Sequence, residues 1–432
     1  MSFASRISWL IPKGRAGRSI VALAGGTVMA QVITATALLF VTRLYTPAEI
    51  GIISLFLSFF AFWSQLLSWR YEYALFVARD DYESYRVFRL GISLVLAMSA
   101  LSVPVLYGLI RGNTLGFGLL PIWSPLAGML IFSGYGIFVL HRIWGLRSGL
   151  VRNVNKATVS RAASTAVVRV VLGFAGGGVA GLFAAEFAGA WGATAALHPA
   201  VRKHYSASRP AIFWQGLLAV MKRYSKFPKY DMPSTIIDQL ALTLPIPIIA
   251  SLYGAQAAGW FGLARMVVAL PNAQLGRAVS DVFQMELAQK VRAGDFAAAR
   301  RLFHTLLRKL SLFGLLPLAG VMILAPIFVP WVFGKPWAEA GIIMACIAPW
   351  LYAALVVSPL SGLISVLERQ EYKFIYDIST LILIGLVYLA GRQWSLGLIA
   401  VVMLLAIANI IGYAIYLLIF LRIISRHLKS ST

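Results

Sequence analysis

The sequence predicts an all-α polytopic membrane protein: about twelve transmembrane helices in two six-helix lobes forming a parallel repeat, with both termini in the cytoplasm. Three observations predict it. Hydrophobic residues make up 60% of the chain and charged residues 12%, with a mean hydropathy of +0.81, whereas soluble domains average about 45–50% apolar and about 25% charged. The apolar residues fall into runs that match the roughly 20 helical residues needed to cross a hydrocarbon core. Lys and Arg, finally, collect in alternate connections.

The first span, 19–42, follows a short basic, mildly amphipathic segment, SFASRISWLIPKGRAGR, expected at the cytosolic interface. It runs past 20 residues and ends in Thr42-Arg43-Leu44 without a small-residue cleavage pattern, so it reads as a span rather than a cleaved signal. The tight turn RLYTPAE leads into 48–69, and a basic connection leads to 88–110 and 116–140. A second basic connection precedes 158–175, which the turn GFAGGGV joins to 179–198. The longest connection, about His198–Asp231, carries AIFWQGLLAV, too short to span comfortably and suited to an interfacial helix. The remaining spans are 233–253, 259–282, 310–332, 338–366, 374–391 and 395–421. The expected domains are therefore an N-terminal lobe (1–200), a cytosolic linker (201–231) and a C-terminal lobe (232–432).

An internal echo supports the two lobes. Leu44-Tyr45-TPAEI-Gly51 recurs 208 residues later as Leu252-Tyr253-GAQAA-Gly259. Each copy closes one apolar run and opens the next, the pattern of a repeated transporter half.

Of the 38 Lys and Arg, 31 fall at the termini or in the connections after even-numbered spans, counting Arg89 and Arg161 in the first turn of the span that follows. Four (Arg43, Arg111, Lys335, Arg392) fall on the other side, and three (Arg169, Arg265, Arg277) lie inside spans. By the positive-inside rule the rich side is cytoplasmic. The net charge of +23 is thereby an orientation signal, and nucleic acid is not an expected partner. The lone Cys346 excludes an intrachain disulfide framework. Gly334-Lys335-Pro336 lacks the rest of a phosphate loop, the five histidines are scattered, and no cluster has metal-ligand spacing. The outer connections are too short for a catalytic domain. No enzyme, metal or cofactor is expected, and transport is.

A charge at the centre of a span costs about 2.5–3.5 kcal/mol on insertion scales, so each is a functional candidate. Arg265 lies one and a half turns inside 259–282, where it either snorkels outward or faces a cavity between the lobes. Pro271 follows by six residues and permits a bend. Arg169 and Glu186 flank the glycine turn at 176–178, at similar depth, as an ion pair or with Arg169 in a cavity. Asp238 precedes Pro245 and Pro247, two further bend candidates; it titrates, pairs with a base or reaches cytosolic water. Arg277 and Asp281, at i and i+4, suit a salt bridge at the cytosolic interface, where Arg70 and Glu72 also lie. Arg43 marks the outer end of the first span as an anchor or cavity rim.

The stretches QVITATALLFVTRLYTPAEIGIISLFLSFFAF and RYEYALFVARDDYESYRVF resemble the start of Wzx-type polysaccharide biosynthesis proteins. These are lipid-linked oligosaccharide flippases of the MOP exporter superfamily. LYGAQAAGWFGLARMVVALPNAQLGRAVSDVFQMELAQ is similar to that family's second half. The resemblance implies two lobes alternately opening a central cavity and a bacterial inner-membrane location. It also implies a polyprenyl-diphosphate-linked glycan as cargo, and polysaccharide polymerase and assembly proteins as partners. Arg265, Pro271 and Gly276 match a pattern of the more distant MurJ lipid II flippases, where the Arg lies in a cationic cavity that recognises pyrophosphate. The resemblance thus implies a diphosphate-binding role for Arg265. The sequence departs from MurJ in that 48–69 has no mid-span Arg. A cation-coupled multidrug exporter of the same superfamily is the alternative.

Overall fold

In hydrocarbon a backbone N–H or C=O has no water to bond, so a segment crossing it closes its hydrogen bonds on itself as helix. The computed structural model, which describes residues 15–205, 214–369 and 371–427, is helical throughout its long elements. They are α1 (Arg15–Leu44), α2 (Pro47–Trp63), α3 (Asp81–Arg111), α4 (Ser124–Arg147), α5 (Val151–Phe174) and α6 (Gly178–Tyr205). After α7 (Trp214–Arg223) come α8 (Met232–Thr243), α9 (Pro245–Arg292), α10 (Phe296–Phe333), α11 (Ala338–Val357), α12 (Glu371–Gln393) and α13 (Leu398–His427).

Among the described residues, ten helical stretches are long and apolar enough to cross a membrane. One of them, Phe227–Val268, holds 42 residues, about 63 Å of helix against a core of about 30 Å. It is broken at Gly254, whose φ of 81° and ψ of −176° no helix contains. Divided there, and joined by the shorter apolar Pro47–Trp63, the stretches number twelve.

Several boundaries differ from those predicted. α3 and α10 begin at Asp81 and Phe296 rather than 88 and 310, because polar caps start them before the apolar run. Asp80 accepts from Glu83 N at 2.7 Å and Asp295 from Ala298 N at 2.9 Å. The run predicted from 116 becomes helix only at Ser124: Leu115 and Gly116 adopt left-handed φ of 51° and 78°, and Pro121 follows. α2 stops at Trp63, and the chain turns through left-handed Trp69 and Arg70. Within the stretch 211–220, expected as an interfacial helix, the described part is helical as α7, one face of which buries Leu217 and Val220 while Leu218 is exposed. Its first residues, with the rest of 206–213 and with 1–14, lie outside the described residues.

The chain divides into two units, Met1–Tyr45 with Phe56–Ile236 and Thr46–Leu55 with Ile237–Thr432. The first is cored by interlocked aromatics, with Phe56 and Phe183 centroids at 4.5 Å and Phe60 stacked on Phe132 at 5.2 Å. Its α5 and α6 approach through small residues: a Cβ on Gly189 would lie 2.0 Å from Thr165 Oγ1, and one on Gly192 2.7 Å from Ser164 Oγ. Close backbone approach over small residues is how helices associate where lipid removes the hydrophobic drive. The second unit buries Phe283, Phe303, Leu360 and Phe420 together.

The repeated Leu-Tyr…Gly motif acquires a physical role in the second unit, which includes the start of α2. There α2 crosses α9 glycine on glycine. A Cβ on Gly51 would sit 1.7 Å from Ala255 O, and one on Gly259 1.8 Å from Pro47 O. The contacts are reciprocal under the same 208-residue offset, 51 to 255 and 259 to 47. The two tyrosines are also used alike: Tyr45 Oη donates to Arg169 O at 2.8 Å, and Tyr253 Oη to Leu396 O at 2.5 Å.

Candidate functional site

Arg265 sits on α9, two turns beyond Gly259. Its neighbours Phe261 and Ala264 are fully buried, and one turn earlier Gly262 admits Ser54, whose Oγ lies 2.6 Å from where a Cβ would be. The close α2–α9 crossing therefore leads directly to this arginine and fixes its helix. The guanidinium carbon lies 5.8 Å from the ring centroid of Trp350 on α11 and within electrostatic reach of Tyr413 on α13. Among the described residues no carboxylate comes within the 4.0 Å of an ion pair. A half-buried guanidinium with aromatic neighbours and no carboxylate in ion-pair range among the described residues is chemically able to take an anion, its planar fork matching a bidentate oxyanion.

From Tyr413 an aromatic row leads to an acidic group. Tyr376 on α12 lies 5.7 Å from Tyr413 and stacks on Tyr416 at 4.3 Å. The next residue, Asp377, is 1% exposed. Lys373 Nζ donates to Asp377 Oδ2 at 2.7 Å and to Asp238 Oδ1 at 3.2 Å. Two carboxylates thus share one ammonium, with i, i+4 spacing placing Lys373 and Asp377 on one face of α12. Sequence reasoning singled out Asp238 and missed its partners. Asp377 lay inside a predicted span four residues after Lys373, a signal that could have found both.

In the first unit Arg169 Nη2 donates to Glu186 Oε1 at 2.5 Å, both side chains mostly buried. The α5–α6 glycine packing puts the two at one depth. Arg169 Nε is buried with no partner among the described atoms. Arg43 is exposed in the last turn of α1.

The residues after α2 form a separate charged cluster. Left-handed Arg70 donates from Nε to Asp231 Oδ2 at 2.6 Å, lies 3.9 Å from Glu72 Oε1 and covers the Tyr73 ring at 4.5 Å. Burial opposes the Arg70 charge, but the hydrogen bond to Asp231 together with the attraction of Tyr73, Asp231 and Glu72 outweighs it and raises the pKa. Glu72, buried and accepting from Ser68 Oγ, has its carboxyl pushed above the usual range by desolvation, which outweighs that hydrogen bond. Asp231 had no place in the sequence reading, since nothing local signals a partner 161 residues from Arg70.

Pro245 and Pro247 occupy the first turn of α9, where a missing N–H costs no helical bond. α9 continues through position 271, but the side chains of Pro271 and Arg277 lie outside the described residues; Asp281 is exposed. Two of the scattered histidines come together unexpectedly: His141 Nε2 lies 3.0 Å from His198 Nδ1, with His141 buried. No group of three metal-ligating side chains occurs among the described residues.

A family model described as "Polysaccharide biosynthesis protein" matches residues 40–342. The teichuronic acid biosynthesis protein TuaB of Bacillus subtilis is 24% identical over 196 residues, 45% of this chain and 40% of that protein. The lipopolysaccharide biosynthesis protein WzxC of Escherichia coli is 24% identical over 186 residues, 43% and 37%. The matched part therefore spans about two fifths of those relatives' length. Among solved structures, an inward-facing multidrug resistance MATE family transporter of the MOP superfamily superposes with a TM-score of 0.74 at 15% identity, covering 96% of this chain and 100% of that one. The lipid II flippase MurJ in an inward closed conformation gives 0.71 at 13%, covering 92% and 87%. At these identities the likeness is one of fold, and it bears out the all-α polytopic architecture.

Proposed function

Since this chain belongs to the polysaccharide biosynthesis protein family and folds as a MOP-superfamily transporter, we propose that it is a flippase for oligosaccharide units linked to a polyprenyl diphosphate. On this reading it carries undecaprenyl-diphosphate-linked repeat units from the cytosolic to the periplasmic leaflet of a bacterial inner membrane by alternating access. The glycan then enters O-antigen, capsule or exopolysaccharide assembly, with polymerase and assembly proteins downstream.

The observation that carries the proposal is Arg265: a cation inside a membrane-crossing helix with aromatic neighbours and no acidic partner among the described residues. An unaided diphosphate would lose its hydration in hydrocarbon. Arg265 replaces part of that solvation with charge-assisted hydrogen bonds in two parallel directions. The membrane potential, negative inside, contributes about 4.6 kcal/mol per 100 mV to outward movement of a dianion. The Asp238–Lys373–Asp377 group offers a second charged locus at which a cation or proton could couple to the cycle. A multidrug exporter for cationic compounds shares the fold but would place acid rather than Arg265 on that face.

Replacing Arg265 with Ala is expected to abolish surface-glycan display while membrane insertion and protein level stay normal. Arg265→Lys keeps the charge, loses the fork and is expected to retain partial display. Normal display by Arg265→Ala at wild-type protein level would refute the assignment. Resistance to cationic drugs that is lost on deletion, with glycan display intact, would support the multidrug reading instead.

A further inference from the structure

We propose that Arg161, lying on the ring of Tyr135 halfway along the first unit's helices, is a second oxyanion-binding site, for an acidic group of the cargo. The inference rests on the flippase reading and adds to it a site in the first unit. The apolar runs alone put Arg161 in the first turn of a span. α5 instead begins at Val151 and holds 24 residues. Arg161 therefore lies about 15 Å along a helix of about 36 Å, close to the middle of a core about 30 Å thick. Tyr135 is likewise central, twelve residues along the 24 of α4, and the guanidinium carbon sits 4.6 Å from its ring centroid. The side chain thus stays at mid-depth and does not reach for an interface as a snorkelling arginine would. Both helices are registered on α6: Ser160 Oγ donates to Gly192 O at 3.3 Å, and Thr194 Oγ1 to Gly134 O at 2.9 Å. Phe60 of α2 meets the Tyr135 ring in a T-shaped contact at 5.0 Å, so the platform under the guanidinium is fixed as well.

A cation at this depth is costly unless it faces an anion or a wet cavity. Arg169, on the same helix, is neutralised by Glu186. Arg161 has the Tyr135 face and, among the described residues, no hydrogen bond and no carboxylate in ion-pair range. It is half-buried, and its nitrogens stay accessible where Arg169 Nε is sealed. A ring face holds a guanidinium by its flat side and leaves free the N–H edge, the part that forks onto a carboxylate or phosphate. Depth selects the occupant. Phospholipid phosphates lie in the headgroup layer, about 15 Å from the middle of the core, beyond a side chain held on Tyr135. The oxyanions that pass the midplane are those of the cargo: its diphosphate and any carboxylate on its sugars.

The test uses the full-length protein in phosphatidylcholine nanodiscs and three lipids. These are undecaprenyl diphosphate bearing glucuronic acid, the same lipid bearing glucose, and undecaprenyl glucoside, which has no charge. Phenylglyoxal modification of Arg161 in the wild type is read by peptide mass spectrometry. It is expected to slow about tenfold with an acidic lipid at about ten times its Kd, and to be unchanged by the glucoside. Arg161→Gln is expected to weaken binding at least about tenfold, the worth of charge-assisted hydrogen bonds. A loss confined to the glucuronate lipid assigns the site to the sugar carboxylate; an equal loss on both diphosphates assigns it to the diphosphate. Arg161→Lys, which keeps the charge without the fork, should recover part of the affinity. The modification needs no variant, so it decides the matter if Arg161→Gln does not fold. Arg161 modified equally with and without both acidic lipids, or wild-type affinity for both in folded Arg161→Gln, overturns the inference. So does an equal loss on the glucoside, which marks a structural role, or protection by phosphatidylglycerol added to the nanodiscs, which marks a site for resident lipid. If wild type binds none of the three lipids, the flippase reading fails and takes this inference with it; binding that leaves Arg161 unprotected refutes this inference alone.

Discussion

The glycine crossing of α2 and α9 allows a sharp test by the smallest of substitutions, Gly51→Ala. The added Cβ would lie 1.7 Å from Ala255 O, where 3.4 Å is ordinary contact, so the helices must part locally by about 1.7 Å. Both partners are backbone, and no rotamer change can make room. Overpacking by one methyl group costs about 1–3 kcal/mol where side chains can adjust. Here a rigid separation also strips the contacts of Gly259 and Gly262, so a loss of at least about 3 kcal/mol is expected. Gly108→Ala is the control: its Cβ meets nothing within 4 Å, and on helix propensity it should be neutral or stabilising by up to about 1 kcal/mol. Because Gly259 occupies the reciprocal place, Gly51→Ala should make Gly259→Ala cheap. The double variant should lose at least about 1 kcal/mol less than the sum of the singles. Unfolding of the purified protein in an SDS titration reads all four variants. Equal stability of Gly51→Ala and Gly108→Ala, or strict additivity of the two crossing variants, would refute the reasoning.

Three further outcomes follow from the charged groups. Lys373→Met strands Asp377, whose side chain is 2% exposed, at about 3 kcal/mol, and loses the more exposed Asp238 contact at about 1 kcal/mol. Adding Asp377→Asn should recover most of this, and a Lys373→Met protein within about 0.5 kcal/mol of wild type would contradict the pairing. Glu186→Ala leaves Arg169 unpaired and should cost about 3 kcal/mol in the same titration, with Arg169→Met/Glu186→Leu recovering much of it. Glu72 has a folded pKa raised above its unfolded value, so its contribution favours the folded state at low pH and is lost as pH rises through the folded pKa. Glu72→Gln, which can still accept from Ser68, should therefore match wild type in acid and exceed it at neutral pH and above; a variant less stable at neutral pH would show that the carboxylate is needed charged.

Much of the site was legible in part. Arg265 and Arg169 stood out because a cation in an apolar run is costly wherever it points, and Glu186 because a glycine turn set it at the same depth. Asp238 was visible for the same reason. What it faced was not, because Lys373 lies 135 residues away on another helix and resembled an ordinary cytosolic base. Asp231 and His198 escaped notice likewise. A side chain at a helix end carries no sequence mark of the element folded against it.

Composition, the length of the apolar runs and the spacing of Lys and Arg determined the membrane class, because hydrocarbon imposes helix and a span length on any chain that enters it. The Leu-Tyr…Gly echo likewise exposed a repeat before any coordinate. Only the tertiary structure decided what the echo is for: each glycine yields its Cβ space to the other copy's backbone, a contact 208 residues long-range that no local pattern encodes. The same holds for the pairing of charges. Depth is set along one helix by sequence, whereas a partner is set by how helices pack around it.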